Sequence, residues 1–232
     1  DITDFDAVGS LDDFGGIVSE GTYDFGGTAG GDTLDLGAVF SLDLKRHFLT
    51  EGFYPSDLFD SRGLIDDITD FDGLTATEVN AEMLVRVTQD DPSGSPTYSD
   101  FQTFANGTYK GRGFQFRAKL TSNDVAQDIK VSQLGYTASL QRRTEQGNVT
   151  ASGAGAKAVT FTNPFFVGTS SLLGANTNLP SVGINAQNMA SGDFFEVSSI
   201  SGTGFTVHFK NSSNASIDRN FTYQAVGFGK GG

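Results

Sequence analysis

Two histidines, 28 Asp and Glu side chains and no cysteine are the stock from which any chemistry of this 232-residue chain must be built. His47 follows Lys45-Arg46, and His208 alternates with Val207 and Phe209 so that it falls on the outward face of a strand. Neither has a second His or Cys two or four positions on, so a zinc site would need carboxylates to complete it. No G-x-S-x-G elbow accompanies the histidines. Paired carboxylates could serve glycoside hydrolysis, but the acids gather beside Gly and Thr in loop-like stretches, where they solvate a surface. The run Gly26-Gly-Thr-Ala-Gly-Gly has neither the Lys nor the strand–loop–helix setting of a phosphate loop. The expected reading is therefore a non-enzymatic protein without a cofactor.

The hexamer DITDFD occurs twice, at residues 1–6 and 67–72. Asp67, Asp70 and Asp72, followed by Gly73, place carboxylates at spacings that could collect Ca²⁺, an ion that takes six to eight oxygens. Glu78 falls at the twelfth position of a calcium loop, but Thr69 and Phe71 stand where its third and fifth positions need oxygen-bearing acids. The alternative is that Ile68 and Phe71 tuck under a sheet while the aspartates cap turns.

Recognition chemistry is better supplied. Asn185, Gln187, Asn188 and Asp193 crowd one polar segment, and Asn211, Asn214 and Arg219 another, with Tyr223 close behind. Carboxamides both donate and accept hydrogen bonds, and an aromatic ring offers a flat face to a sugar or a side chain. These eight are the expected binding residues, carried on the connections of a rigid scaffold.

The scaffold reads as all-β. Apolar residues alternate with polar ones at 33–40, 45–50, 81–88, 113–121 and 129–141, and again at 158–161, 180–186, 194–200, 204–210 and 220–227. Residues 75–83 could form a brief helical turn, but no stretch holds a 3.6-residue period for three turns. Small polar residues at 146–156 read as a Gly/Ala/Ser linker. The expectation is two antiparallel β-sandwich domains, an acidic one at 1–145 and a smaller one at 157–232.

Charge divides the chain in the same sense. Residues 1–100 hold 22 acids against 4 bases, and residues 101–232 hold 6 against 11, giving −13 in all. Such a distribution argues against nucleic acid as a partner, and the absence of a long apolar run argues against membrane insertion. A start at Asp1 suggests a processed product or a segment of something longer.

Asp91-Pro-Ser-Gly-Ser-Pro-Thr-Tyr-Ser-Asp-Phe, Gly107-Thr-Tyr-Lys-Gly-Arg-Gly-Phe-Gln-Phe-Arg-Ala-Lys-Leu and the run 129–143 resemble the C-terminal part of the tail-tip host-specificity (tip attachment) protein J group of long-tailed bacteriophages. Val159-Thr-Phe-Thr-Asn-Pro-Phe, Gly192-Asp-Phe-Phe-Glu-Val and Arg219-Asn-Phe-Thr-Tyr-Gln-Ala-Val-Gly-Phe-Gly-Lys resemble the H-type lectin-like sandwich that such proteins can carry. The likeness covers most of residues 80–232. It implies a distal piece of a homotrimeric virion protein at the tail tip, with other tail proteins and a host-surface receptor or glycan as partners. The last strand has Tyr223 but no Trp, so the lectin's sugar contacts do not transfer residue by residue. Two other readings stay open: a purely structural tail or baseplate subunit, and a carbohydrate-binding module of a secreted glycosidase.

Overall fold

The computed structural model describes residues 19–25, 32–54, 76–124, 127–149, 151–169 and 176–231. Among them there is no helix; the chain is all-β, as its alternation predicts. Both copies of the DITDFD hexamer, and with them Asp67, Asp70 and Asp72, lie outside the described residues.

The first sheet is built around two long strands. In β2 (Leu34–Phe53), Leu34, Leu36, Phe40, Leu42 and Leu44 all point inward. Gly37, at φ +77°, lies within a bulge between Asp35 and Phe40. The Asp35 carboxylate pins that bulge by accepting from Gly37 N at 2.8 Å and from Arg112 Nε at 3.1 Å. The two expected strands at 33–40 and 45–50 are thus one, because no turn residue interrupts 41–44. β5 (Gly107–Ser122) pairs with β2 through its first half, and with β3 (Val79–Thr88) and β1 (Ser19–Asp24) through its second. Residues 79–83 belong to β3 rather than to a helical turn, since cross-strand pairing with β5 overrides a weak local preference. β4 (Gln102–Thr103) extends the sheet beyond β3.

β6 (Asp128–Ser139) pairs with the far half of β2, and the sheet coils until β6 meets β3 and β5. Tyr136 then stacks on Phe116 with ring centroids 4.0 Å apart, above a core of Phe40, Phe104, Phe114, Met83 and Val85. Burying each phenylalanine contributes about 1.5–3 kcal/mol. The strap 89–101, which carries the DPSGSPTYSDF run, is tied to β3 by Ser99 N donating to Val87 O at 2.9 Å. Its rings are gripped by guanidinium groups: Arg86 lies 4.7 Å from the centroids of Tyr98 and Phe101, and Arg117 lies 4.3 Å from Phe101.

Two three-stranded antiparallel sheets follow. One has the order β10-β11-β8, formed by β8 (Lys157–Thr160), β10 (Phe194–Ser198) and β11 (Gly204–Lys210). The other has the order β7-β12-β9, formed by β7 (Arg142–Val149), β9 (Ser181–Gln187) and β12 (Asn220–Phe228). Phe205, Val207 and Phe209 from one meet Phe221, Tyr223 and Ala225 from the other over a second core. Composition marks 146–156 as a linker, but residues 146–149 complete β7 in register with β12. Ser152 is buried as well, bonded through its backbone N to Arg219 O at 2.9 Å.

The two cores interlock. Phe166 belongs to the first, packed edge-on to Phe40 at 6.0 Å, while its backbone N donates to Phe228 O. After Gly229, β13 (Lys230–Gly231) adds to β2 opposite Ser41 and Phe40. Beside this junction Arg143 donates to Gly229 O, Asn163 O, Pro164 O and Glu145, and lies 3.7 Å over the Phe165 ring. Burial pushes the Glu145 carboxyl up, but hydrogen bonds from Arg143, Thr162 N and Asn163 N outweigh it and hold the group below its ordinary 4.5. A lowered carboxyl stabilises the fold fully above the unfolded value, and that contribution is lost as the pH falls through the folded one. Acidification below pH 4.5 is therefore expected to lower the urea midpoint, with a shallower dependence in Glu145→Gln; equal slopes would count against this role.

Candidate functional site

The outward face of the β7-β12-β9 sheet follows from register and side-chain parity. Phe221, Tyr223 and Ala225 turn into the core, so Thr222, Gln224 and Val226 face out. Gln224 lies between Gln146 of β7 and Gly183 of β9; Thr222 lies between Asn148 and Asn185; Asn220 is opposite Gln187. The result is a ladder of carboxamides with one hydroxyl and one glycine at its centre. It forms a shallow concavity of about 580 Å³, lined by residues of all three strands.

Two properties set this face apart. The chain carries a net charge of −13, yet from Thr144 through Asn148, Ser181 through Gln187 and Asn220 through Val226 the outward positions include no ionisable side chain. In addition, the side chains of Gln146, Asn148, Asn185, Gln187 and Gln224 make no hydrogen bond to any described residue. Other amides are spent on the fold: Gln115 accepts from Arg86 at 2.7 Å, Gln127 donates to Tyr54 at 3.0 Å, and Asn106 accepts from Arg46 N at 2.7 Å. The ladder keeps its donors and acceptors for solvent or a ligand.

Of the eight residues expected from sequence, Asn185 and Gln187 stand on this face. Asn188 takes φ +58° at the end of β9. Asp193, 4% exposed in its side chain, accepts from Ala190 N at 2.8 Å and from Arg219 Nε at 2.9 Å, so these two form an internal clamp. Ala190 N, then Arg219, hold its carboxyl below the usual range. Asn211 accepts from Ser213 N and Ala215 N, each at 3.0 Å, and Asn214 takes φ +60° in the same turn. Tyr223 packs against Phe205 with centroids 5.3 Å apart and fills the space beside Gly147, so its ring is a core element and not an exposed platform. The sequence reading missed Gln146, Asn148, Thr222, Gln224 and Gly183; alternate polar positions in Asn220–Phe228 were the available signal.

The histidines stand apart from the ladder. His47 contacts Thr137 Oγ1 and His208 contacts Ser216 Oγ, both at 2.8 Å and on exposed surface. Glu196, opposite His208, is bound by Lys210 at 2.8 Å. Among the described residues no three His, Asp or Glu converge to hold a metal ion. Phe194 and Phe195, each 39% exposed, lie on β10, an edge strand of its sheet.

No family model, curated protein or solved structure matches the chain.

Proposed function

We propose that the chain is a non-enzymatic recognition module of a bacteriophage tail tip, contributing to host-surface recognition and adsorption, and that the β7-β12-β9 face makes the contact. The observation that carries a recognition role is the ladder of unspent carboxamides around a concave notch that no carboxylate or cationic side chain lines. Desolvated amides discriminate among ligands, because each one left without a partner costs about 1–3 kcal/mol. Placement at a tail tip rests on the resemblance of residues 80–232.

Purified chain in excess is expected to slow adsorption of the parent particle to the bacteria it infects. The double variant Asn185→Asp, Gln224→Glu keeps the shape of the face but removes two amide donors and adds two charges. Exposed substitutions of this kind change stability by about 0.5 kcal/mol or less, so the variant should fold and fail to compete. Competition equal to that of the unaltered chain would overturn the assignment of this face.

A structural tail or baseplate role is the second reading, and the exposed Phe194-Phe195 edge favours it. An edge strand bearing aromatics suits burial against a neighbouring subunit, including the symmetry mates of a homotrimer. Particles that fail to assemble when Phe194 and Phe195 are replaced by Ser, yet adsorb normally with the double variant above, would support it.

A further inference from the structure

The β7-β12-β9 sheet contains three glycines, and two of them have a packing reason. A Cβ at Gly147 would lie 2.6 Å from the Tyr223 ring, and one at Gly227 would lie 2.6 Å from Phe165. Gly183 has no such reason. Its φ is not positive, and an added Cβ would meet only Gln224 O, at 3.8 Å, an ordinary contact. A glycine inside a strand weakens it and leaves its backbone open to close approach; Gly21, Gly107 and Gly135 are open in the same way, but Gly183 alone of the four lines the carboxamide notch. Nothing described in this chain approaches it from the outward side. The missing side chain is what opens the notch between Gln224 and Asn185.

We propose that Gly183 is the floor of a binding site for an uncharged, polyhydroxylated chain, a neutral polysaccharide, held by Gln146, Asn148, Asn185 and Gln224. This rests on the recognition role proposed above and names its ligand class. Carboxamides offer a donor and an acceptor side by side, which suits hydroxyl and acetamido groups. An anionic polymer would find no cation on the notch to pair with. A protein partner would bring apolar and aromatic anchors, and the one aromatic lining the notch, Tyr223, turns its ring inward onto Phe205. The volume of about 580 Å³ falls in the ordinary range for ligand sites, about 300–1,000 Å³.

The test uses the full chain on immobilised dextran, mannan and N-acetylglucosamine oligomers, with alginate as the anionic comparison. Binding to at least one neutral polymer and not to alginate is expected, little changed between low and high salt because no charge pair is involved. The side-chain NH₂ resonances of Gln146, Asn148, Asn185 and Gln224 should shift on titration. Gly183→Thr should weaken binding about tenfold or more, a loss of about 1.4 kcal/mol, while leaving Tm unchanged or raised. Binding to none of the neutral polymers, undiminished binding by Gly183→Thr, or a lowered Tm in that variant would each overturn the proposal; the last would give the glycine a structural reason. Adsorption competition separates this from the wider reading. A chain that competes but ignores all neutral polymers keeps its recognition role and loses this ligand, whereas neutral-polymer binding without competition keeps the site and removes the tail-tip role.

Discussion

Arg143→Ala is expected to lower the unfolding free energy by about 3–5 kcal/mol, the usual cost of stripping one partner from a largely buried ion pair. The Arg143 side chain is 17% exposed and that of its Glu145 partner 10%, so solvent replaces little of what is lost. The pair is only part of the cost, because the same group holds the carbonyls of Gly229, Asn163 and Pro164. Those acceptors come from two distant points on the chain, and only a planar fork of donors reaches them together. Arg143→Lys should therefore recover charge but not geometry and fall between wild type and Ala. Arg143→Met with Glu145→Gln removes both charges at once, yet stays below wild type because the orphaned carbonyls remain. Urea midpoints of the four proteins check the order. A double variant as stable as wild type would show that the pair alone matters.

That network marks the limit of what could be read in advance. Arg142-Arg143 stands out in the sequence only as a pair of adjacent cations, and strand parity sends one outward and the other inward. Parity was itself legible in the last strand: Phe221, Tyr223 and Ala225 must share a face, which assigns Tyr223 to the core and Thr222 and Gln224 to solvent. An aromatic among polar neighbours nevertheless looks like a binding platform until the apolar residues at the same parity are counted. The carboxamide ladder needed more than parity. Gln146 and Asn148 lie in a stretch whose small residues mimic a linker, and their alignment with Gln224 and Thr222 depends on a register that no local pattern fixes. The Asp193–Arg219 clamp spans 26 positions and is invisible for the same reason. Strand existence is readable because alternation is local; the continuity of β2 through residues 41–44 rests on pairing with β5 and β6, which no local pattern shows.

Phe166→Ala is expected to cost about 3–5 kcal/mol as well, and to change how the molecule melts. The ring is 3% exposed and lies in the core of the first sheet, although its backbone is bonded to the last strand of the second sandwich. It therefore couples the two clusters: the edge-on approach to Phe40 is made at the point where Gly229 passes the same ring. A loss of this size would lower Tm by roughly 6–20 °C in a chain of this length. Phe209→Ala, in the heart of the second core and fully buried, should cost a similar amount without touching the junction. The two variants differ in the shape of the calorimetric trace. Removal of Phe166 should broaden the transition or split it in two, with the second sandwich and the first sheet unfolding separately, because β13 alone adds only two residues of pairing across the junction. Phe209→Ala should keep the junction and with it whatever cooperativity the unaltered chain has. Equal shifts with unchanged transition widths would mean that the junction is held by its backbone pairing and Arg143 rather than by the buried ring.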